Sequence, residues 1–460
     1  MIENKKSPVA IIARFKKSLL HISLREKKNA AFVTKLKGLS SLLSMNKKQR
    51  SSFTYIARRK RFGSWKFALG CVVLILTLCC SGLFMPSVNA DNNNNESIEE
   101  QLNQGVGNQL GGIDFGSFEE IIQNLSSSAQ GFFGGTSFWE KVRTIISGDF
   151  SEGFSSFFSA ILNAFLGEIL GFMPLLATII AVAILNNLIT GLRGGSGSNS
   201  VGEITHFVCF GVIVVIVSVA LVILLKMTTE TVYLLKTQMD ALFPVLLTLL
   251  ASVGGIVSVG IFQPSVAILS GVVVQIFTSV VIPLFIFIFI FQVVGNISSN
   301  VKLDKFAGFF SSAFKWIVGT IFTLFLTFIS VQGIVAGVYD GVSVRAAKFA
   351  IKSYIPILGG YLADGFNIIM ASSVLIKNAI GLAGLLLMFS SIVMPVAKIM
   401  VFSLGLKLTA AILEPIADSK ISNFVNSVGK LLNYLVAVIM GVAFMYLISI
   451  ALIMCTANVL

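Results

Sequence analysis

Histidine is nearly missing. The chain carries only His21 and His206, and no Ser/His/Asp set, Cys/His pair or zinc-type cluster can be assembled from its motifs. The five cysteines, Cys71, Cys79, Cys80, Cys209 and Cys455, all lie in apolar runs, which excludes a disulfide framework and any metal-ligand spacing. The residues thus indicate no catalytic centre, no cofactor site and no metal site, and the expectation is a non-enzymatic protein. Charge is scarce as well: 12% of residues are Asp, Glu, Lys or Arg against 55% hydrophobic, and the mean hydropathy is +0.89. No water-soluble fold covers its surface with so few charges, so the composition predicts a polytopic membrane protein. The net charge of +13 is not a nucleic-acid signature, because residues 1–66 hold 18 Lys/Arg against 2 acidic residues and the remainder is slightly acidic.

In chain order, 1–66 is a basic cytoplasmic leader. Residues 67–90 then supply an apolar core, Phe67 to Phe84, and small residues at Val88-Asn-Ala90, which together read as a secretory signal with a mature start near Asp91. So long a leader is unusual; either Met45 is the true start, or the apolar run is an uncleaved first transmembrane helix. Residues 91–165 reverse the charge balance, with ten acidic residues against Lys141 and Arg143, and are expected outside the cytoplasm. Helical periodicity recurs there at Phe115, Phe118, Ile121, Ile122 and Leu125, at Phe138, Val142, Ile145 and Ile146, and at Phe154, Phe157, Phe158, Ile161 and Leu162. These predict short amphipathic helices lying on the outer leaflet, docking partners or capping the membrane bundle.

Residues 166–460 form the multipass domain. Eight stretches offer the roughly 20 apolar residues a crossing needs: 167–190, 204–226, 241–262, 266–294, 314–338, 355–376, 378–406 and 431–456. Seven to eight transmembrane helices are therefore expected, in an all-α architecture, since helices satisfy their own backbone in hydrocarbon. An internal duplication organises them. Pro244 and Pro283 are matched by Pro356 and Pro395 at a constant offset, along with Leu246/Leu358, Leu250/Leu362 and Ile256/Ile368, giving copies at about 204–294 and 316–406. An odd number of crossings per copy inverts the second copy, and an even number keeps the two parallel.

Each copy contains an apolar segment interrupted by proline and glycine: Pro244, Gly254 and Gly255 in the first, Pro356, Gly359, Gly360 and Gly365 in the second. Paired interruptions of this kind either line a midplane cavity with unwound backbone or allow close helix packing. These residues, with the intramembrane carboxylate Asp364, are the candidate broken-helix or pore-lining positions. Lys398 and Lys407 read as snorkelling lysines, and His206 as a headgroup-level polar group.

The stretches Gln238 to Val266 and Tyr339 to Asn367 resemble the stage III sporulation protein AE family of endospore-forming bacteria. The specific parts are Leu242-Phe-Pro-Val-Leu-Leu-Thr-Leu-Leu250, Phe262-Gln-Pro264 and the Ala-Lys-Phe then Pro-Ile-Leu-Gly-Gly pattern between 347 and 360. The resemblance implies a sporulation membrane protein placed in the mother-cell membrane facing the forespore. It further implies a subunit of a secretion-like channel complex, working with other membrane proteins of its operon and an ATPase-like subunit. Two other classes compete with it: an autonomous secondary transporter or permease, suggested by the repeat, and a membrane scaffold recruiting partners through the acidic segment.

Overall fold

The computed structural model describes residues 106, 116–123, 125, 130, 137–147, 153–191, 199–297, 303–354 and 359–456, all within one compact unit, Asn92–Leu460. The basic leader and the signal-sequence region lie outside the described residues. Two short helices come first, α1 (Gly116–Gln123) and α2 (Phe138–Ser147). Six long ones follow: α3 (Gly153–Gly191), α4 (Asn199–Ser252), α5 (Ile256–Ile297), α6 (Asp304–Tyr354), α7 (Gly359–Leu413) and α8 (Ser419–Cys455).

The amphipathic segments fold where their periodicity places them. Ser137 and Glu140 form a reciprocal cap at the start of α2: the Glu140 amide donates to Ser137 Oγ at 3.1 Å, and the Ser137 amide donates to Glu140 Oε2 at 3.3 Å. Phe118 stacks on Phe138 at 4.3 Å, while Glu119 accepts the Phe138 amide at 2.9 Å, tying α1 to α2. Phe138 and Val142 are fully buried, because α2 packs on α7 and α1 on α4. The same covering holds the Lys141 ammonium below the usual lysine range through burial. Their apolar faces therefore cap the bundle itself. The third periodic segment is the opening of α3.

Among the described residues, six helices are long and apolar enough to cross a membrane. The sequence suggests seven or eight because two pairs of apolar runs are each joined into one helix. Residues 204–226 and 241–252 both belong to α4, and 359–376 and 378–406 both belong to α7. The polar stretch between the α4 runs stays helical, and its charges pair one turn apart: Lys226 with Glu230 at 3.8 Å, Lys236 with Asp240 at 2.5 Å.

Helix directions follow from the contacts along α8. Phe210 meets Phe424 and Phe243 meets Tyr446, so α4 runs parallel to α8. Phe314 stacks on Tyr434 and Phe322 on Phe444, so α6 does too. Phe289 meets Phe424 while Phe277 lies near Gly441, which makes α5 antiparallel. Contacts of Ser422 with Ala410, Ser403 with Gly429 and Lys377 with Thr456 make α7 antiparallel. The bundle thus alternates up and down, with α8 at its centre. The two stretches paired in the sequence, 204–294 and 316–406, fall on the helix pairs α4–α5 and α6–α7, and both pairs run the same way, as an even-count arrangement requires and an inverted one does not.

In lipid the attraction between helices comes from close packing and interhelical hydrogen bonds. Glycines supply the close approaches. Gly384 receives Leu242 of α4, Gly405 receives the Phe172 ring of α3, and a Cβ at Gly429 would lie 3.1 Å from the Ser403 carbonyl of α7.

Candidate functional site

The candidate positions separate in the structure. Pro244 does not break α4, which runs on for two turns beyond it; the Thr248 hydroxyl donates to the Pro244 carbonyl at 2.8 Å. The interruption falls at Gly254, whose φ of 90° lies in the left-handed region that side chains disfavour. There the Gly255 amide donates to the Leu250 carbonyl and the Gly254 amide to the Ala251 carbonyl, both at 2.9 Å, which is the double bond pattern of a Schellman cap. A Cβ on Gly255 would lie 2.8 Å from the Leu250 carbonyl oxygen. Because α5 then runs antiparallel to α4, these two glycines turn the chain at one end of the bundle. They are a helix–helix turn.

In the second copy, α6 ends at Tyr354 and α7 begins at Gly359; Pro356 lies outside the described residues. Gly359, Gly360, Asp364 and Gly365 all belong to the first turns of α7, and a Cβ at Gly365 would meet nothing within 4 Å. The structure therefore brings Gly254 and Gly255 together and leaves Pro244 on an exposed face of α4 about ten residues away.

What joins the helices is a set of polar contacts that the sequence does not announce. Gln238 of α4, fully buried, donates to Ser391 Oγ of α7 at 2.5 Å, and Ser391 donates to the Leu387 carbonyl at 2.8 Å. Ser403 of α7 donates to the Gly429 carbonyl at 2.7 Å and lies 2.9 Å from the Asn433 side chain of α8. Ser265 of α5 bonds Gln332 of α6. Lys398 is not merely snorkelling: its ammonium reaches Glu168 of α3 at 3.6 Å. His206 Nδ1 lies 3.5 Å from Asp418, whose other oxygen caps α8 by accepting the Lys420 amide at 2.9 Å.

The most telling of these is Lys377, wholly buried in α7, whose ammonium donates to the Thr456 carbonyl at 2.6 Å. Thr456 follows the last residue of α8, so this carbonyl is among those a helix end leaves without an internal partner, at the negative end of its dipole. Lys377 thus caps α8 from a neighbouring helix. On α7 it also begins an interval of twenty uncharged residues, Asn378–Ala397, that ends at Lys398. At 1.5 Å rise per residue this interval is about 30 Å long, the thickness of a hydrocarbon core.

The fold and these joints define an all-α polytopic membrane protein whose polar side chains fasten helix to helix. The chain belongs to the stage III sporulation protein AE family, whose sequence model matches residues 136–457. It is therefore a sporulation membrane protein. It is similar to stage III sporulation protein AE of Bacillus subtilis (strain 168), at 28% identity over 287 residues, covering 62% of this chain and 71% of that protein. No solved structure matches it.

Proposed function

We propose that this protein is a non-enzymatic membrane subunit of the channel joining mother cell to forespore, required after engulfment. The observation that carries the reading is family membership across the whole six-helix bundle, from 136 to 457. The bundle's chemistry agrees with it: the polar groups that meet across helices are spent on joining them, and a lone transporter needs a buried ion or substrate constellation. Its partners are other membrane proteins of the same sporulation operon, with an ATPase-like subunit, and its place is the mother-cell membrane facing the forespore.

Deletion of the gene is expected to stop development after engulfment while leaving vegetative growth unchanged. Heat-resistant spore counts and growth curves measure both. Normal spore yield removes the reading, and slowed vegetative growth transfers it to a general permease.

A further inference from the structure

The central helix α8 is open to its surroundings along one stripe. Between Ile421 and Met440 every residue is buried except a series, recurring every three or four residues, that begins at Asn423 and ends at Met440. From Asn423 to Tyr434 the stripe is polar throughout, with Lys430 and Asn433 upon it; beyond, at Ala437, Met440 and Leu447, it is apolar. Its two edges are α7 and α6. Lys407 of α7 lays its stem on Gly429, the residue before Lys430, so that a Cβ at 429 would lie 3.0 Å from Lys407 Cγ, and the two ammonium groups repel each other. From α6, Phe314 stacks on Tyr434 at 4.7 Å, and the Lys315 ammonium lies over the same ring, 5.5 Å from its centroid. Three lysines from three helices therefore meet α8 between Gly429 and Tyr434, within about 8 Å of its length.

No carboxylate answers them. Helix α8 has no Asp or Glu at all, α7 has none from Gly365 to Leu413, and α6 has none from Lys305 to Tyr339. The nearest along the chain, Glu414, lies in the α7–α8 turn, about 10 Å of helix beyond Lys407, and Asp418 in the same turn lies against His206. Among the described residues none of the three lysines is in an ion pair. Asn433 Oδ1 is taken by Ser403 at 2.9 Å, which leaves its amide nitrogen as a further donor beside them. The surroundings are apolar. At this height, set by Leu221 and Leu224 packing with Val428 and Leu432 around one small cavity, α4 shows Val215, Val219 and Val222, each more than half exposed. Next to the lysines themselves, Leu404 and Leu408 of α7 and Trp316 of α6 are exposed to the same degree. Like charges gathered on an apolar surface call for an anion. Lysines that only reach for water would spread apart, whereas here one stem is seated on Gly429 and another ammonium on Tyr434.

We propose that the crevice over the open stripe of α8, between α6 and α7, binds an anionic phospholipid, with its phosphate at Lys315, Lys407 and Lys430 and an acyl chain along Ala437, Met440 and Leu447. A phosphodiester accepts from ammonium and amide donors at once. The order of the stripe favours a lipid over a free anion, because polar, then cationic, then apolar groups along one line match an amphiphile end to end. From Tyr434 to Leu447 the helix rises about 20 Å, enough for an acyl chain, since one leaflet of the hydrocarbon core is about 15 Å thick. This site stands apart from the channel reading and does not depend on it.

The test uses the full chain purified in detergent and incubated with equal amounts of phosphatidylglycerol and phosphatidylcholine carrying the same acyl chains. Native mass spectrometry identifies the lipid retained. Phosphatidylglycerol is expected to be retained about tenfold more than phosphatidylcholine, the size of one charge-assisted hydrogen bond. Lys430→Gln, at an exposed position that folding tolerates, should abolish the preference, and Lys430→Arg should keep it. Lys226→Gln, which removes an exposed lysine of α4, should leave it unchanged. Equal retention of the two lipids by the wild-type chain overturns the site, as does a preference that survives in Lys430→Gln or falls equally in Lys226→Gln. Displacement of the lipid by excess inorganic phosphate also overturns it, since the crevice would then hold a free anion.

Discussion

Lys377→Glu is expected to destroy the joint between α7 and the end of α8. The substitution removes a charge-assisted hydrogen bond to the Thr456 carbonyl and puts a carboxylate against the negative end of the α8 dipole, in a fully buried place. An uncompensated charge at such a site costs about 3–5 kcal/mol. Lys377→Met keeps the volume and removes the charge, so the Thr456 carbonyl loses this donor without facing a carboxylate and the cost falls to about 1–3 kcal/mol. Thermal unfolding of the two purified variants in detergent separates them. Equal stability of Glu and Met would mean that Lys377 does not cap α8.

Gly405→Leu is expected to drive α3 off α7. A Cβ at 405 would lie 2.6 Å from Phe172 Cδ1, and the ring is held between Gly405 and Phe402, whose ring centroid is 4.0 Å away. Phe172 is 2% exposed. Overpacking of this kind costs about 1–3 kcal/mol and more for a branched side chain against a ring. Gly405→Ala should fall at the low end of that range. The readout that assigns the effect to this contact is a double-mutant cycle with Phe172→Ala: the second substitution should recover part of the loss, with a coupling of about 0.5–3 kcal/mol. Additive losses would show that the two residues do not meet.

The elements were legible from the sequence where a local pattern determines them. Periodicity located α1 and α2, and long uncharged runs located α3, α5, α6 and α8. The turn at Gly254 was legible as an interruption, since two adjacent glycines after a long apolar run are a helix-stop signal. Its position in space was not. Whether such a break lies at mid-membrane or at the end of the bundle depends on the direction of α5, which only the long-range contacts of Phe277 and Phe289 reveal. The continuity of α4 was hidden by the residues from Lys226 to Asp240, which read as a loop when each crossing is taken to need a polar boundary. Their i,i+4 pairing makes them good helix instead.

Lys377 was hidden for a related reason. It stands between two apolar runs and so looks like the connection between separate crossings. Its partner is a backbone carbonyl 79 residues further along, and a backbone group has no sequence signature. The same holds for the Gln238–Ser391 contact, whose partners are 153 residues apart. Polar joints between helices are tertiary facts.

The central claim is that this bundle belongs to a conduit between two compartments. The direct measurement is exchange of a small hydrophilic fluorophore between mother cell and forespore after engulfment, followed by photobleaching the forespore alone. The account predicts recovery of forespore fluorescence in cells carrying the wild-type gene and none when the gene is deleted. Equal recovery in both strains would contradict it.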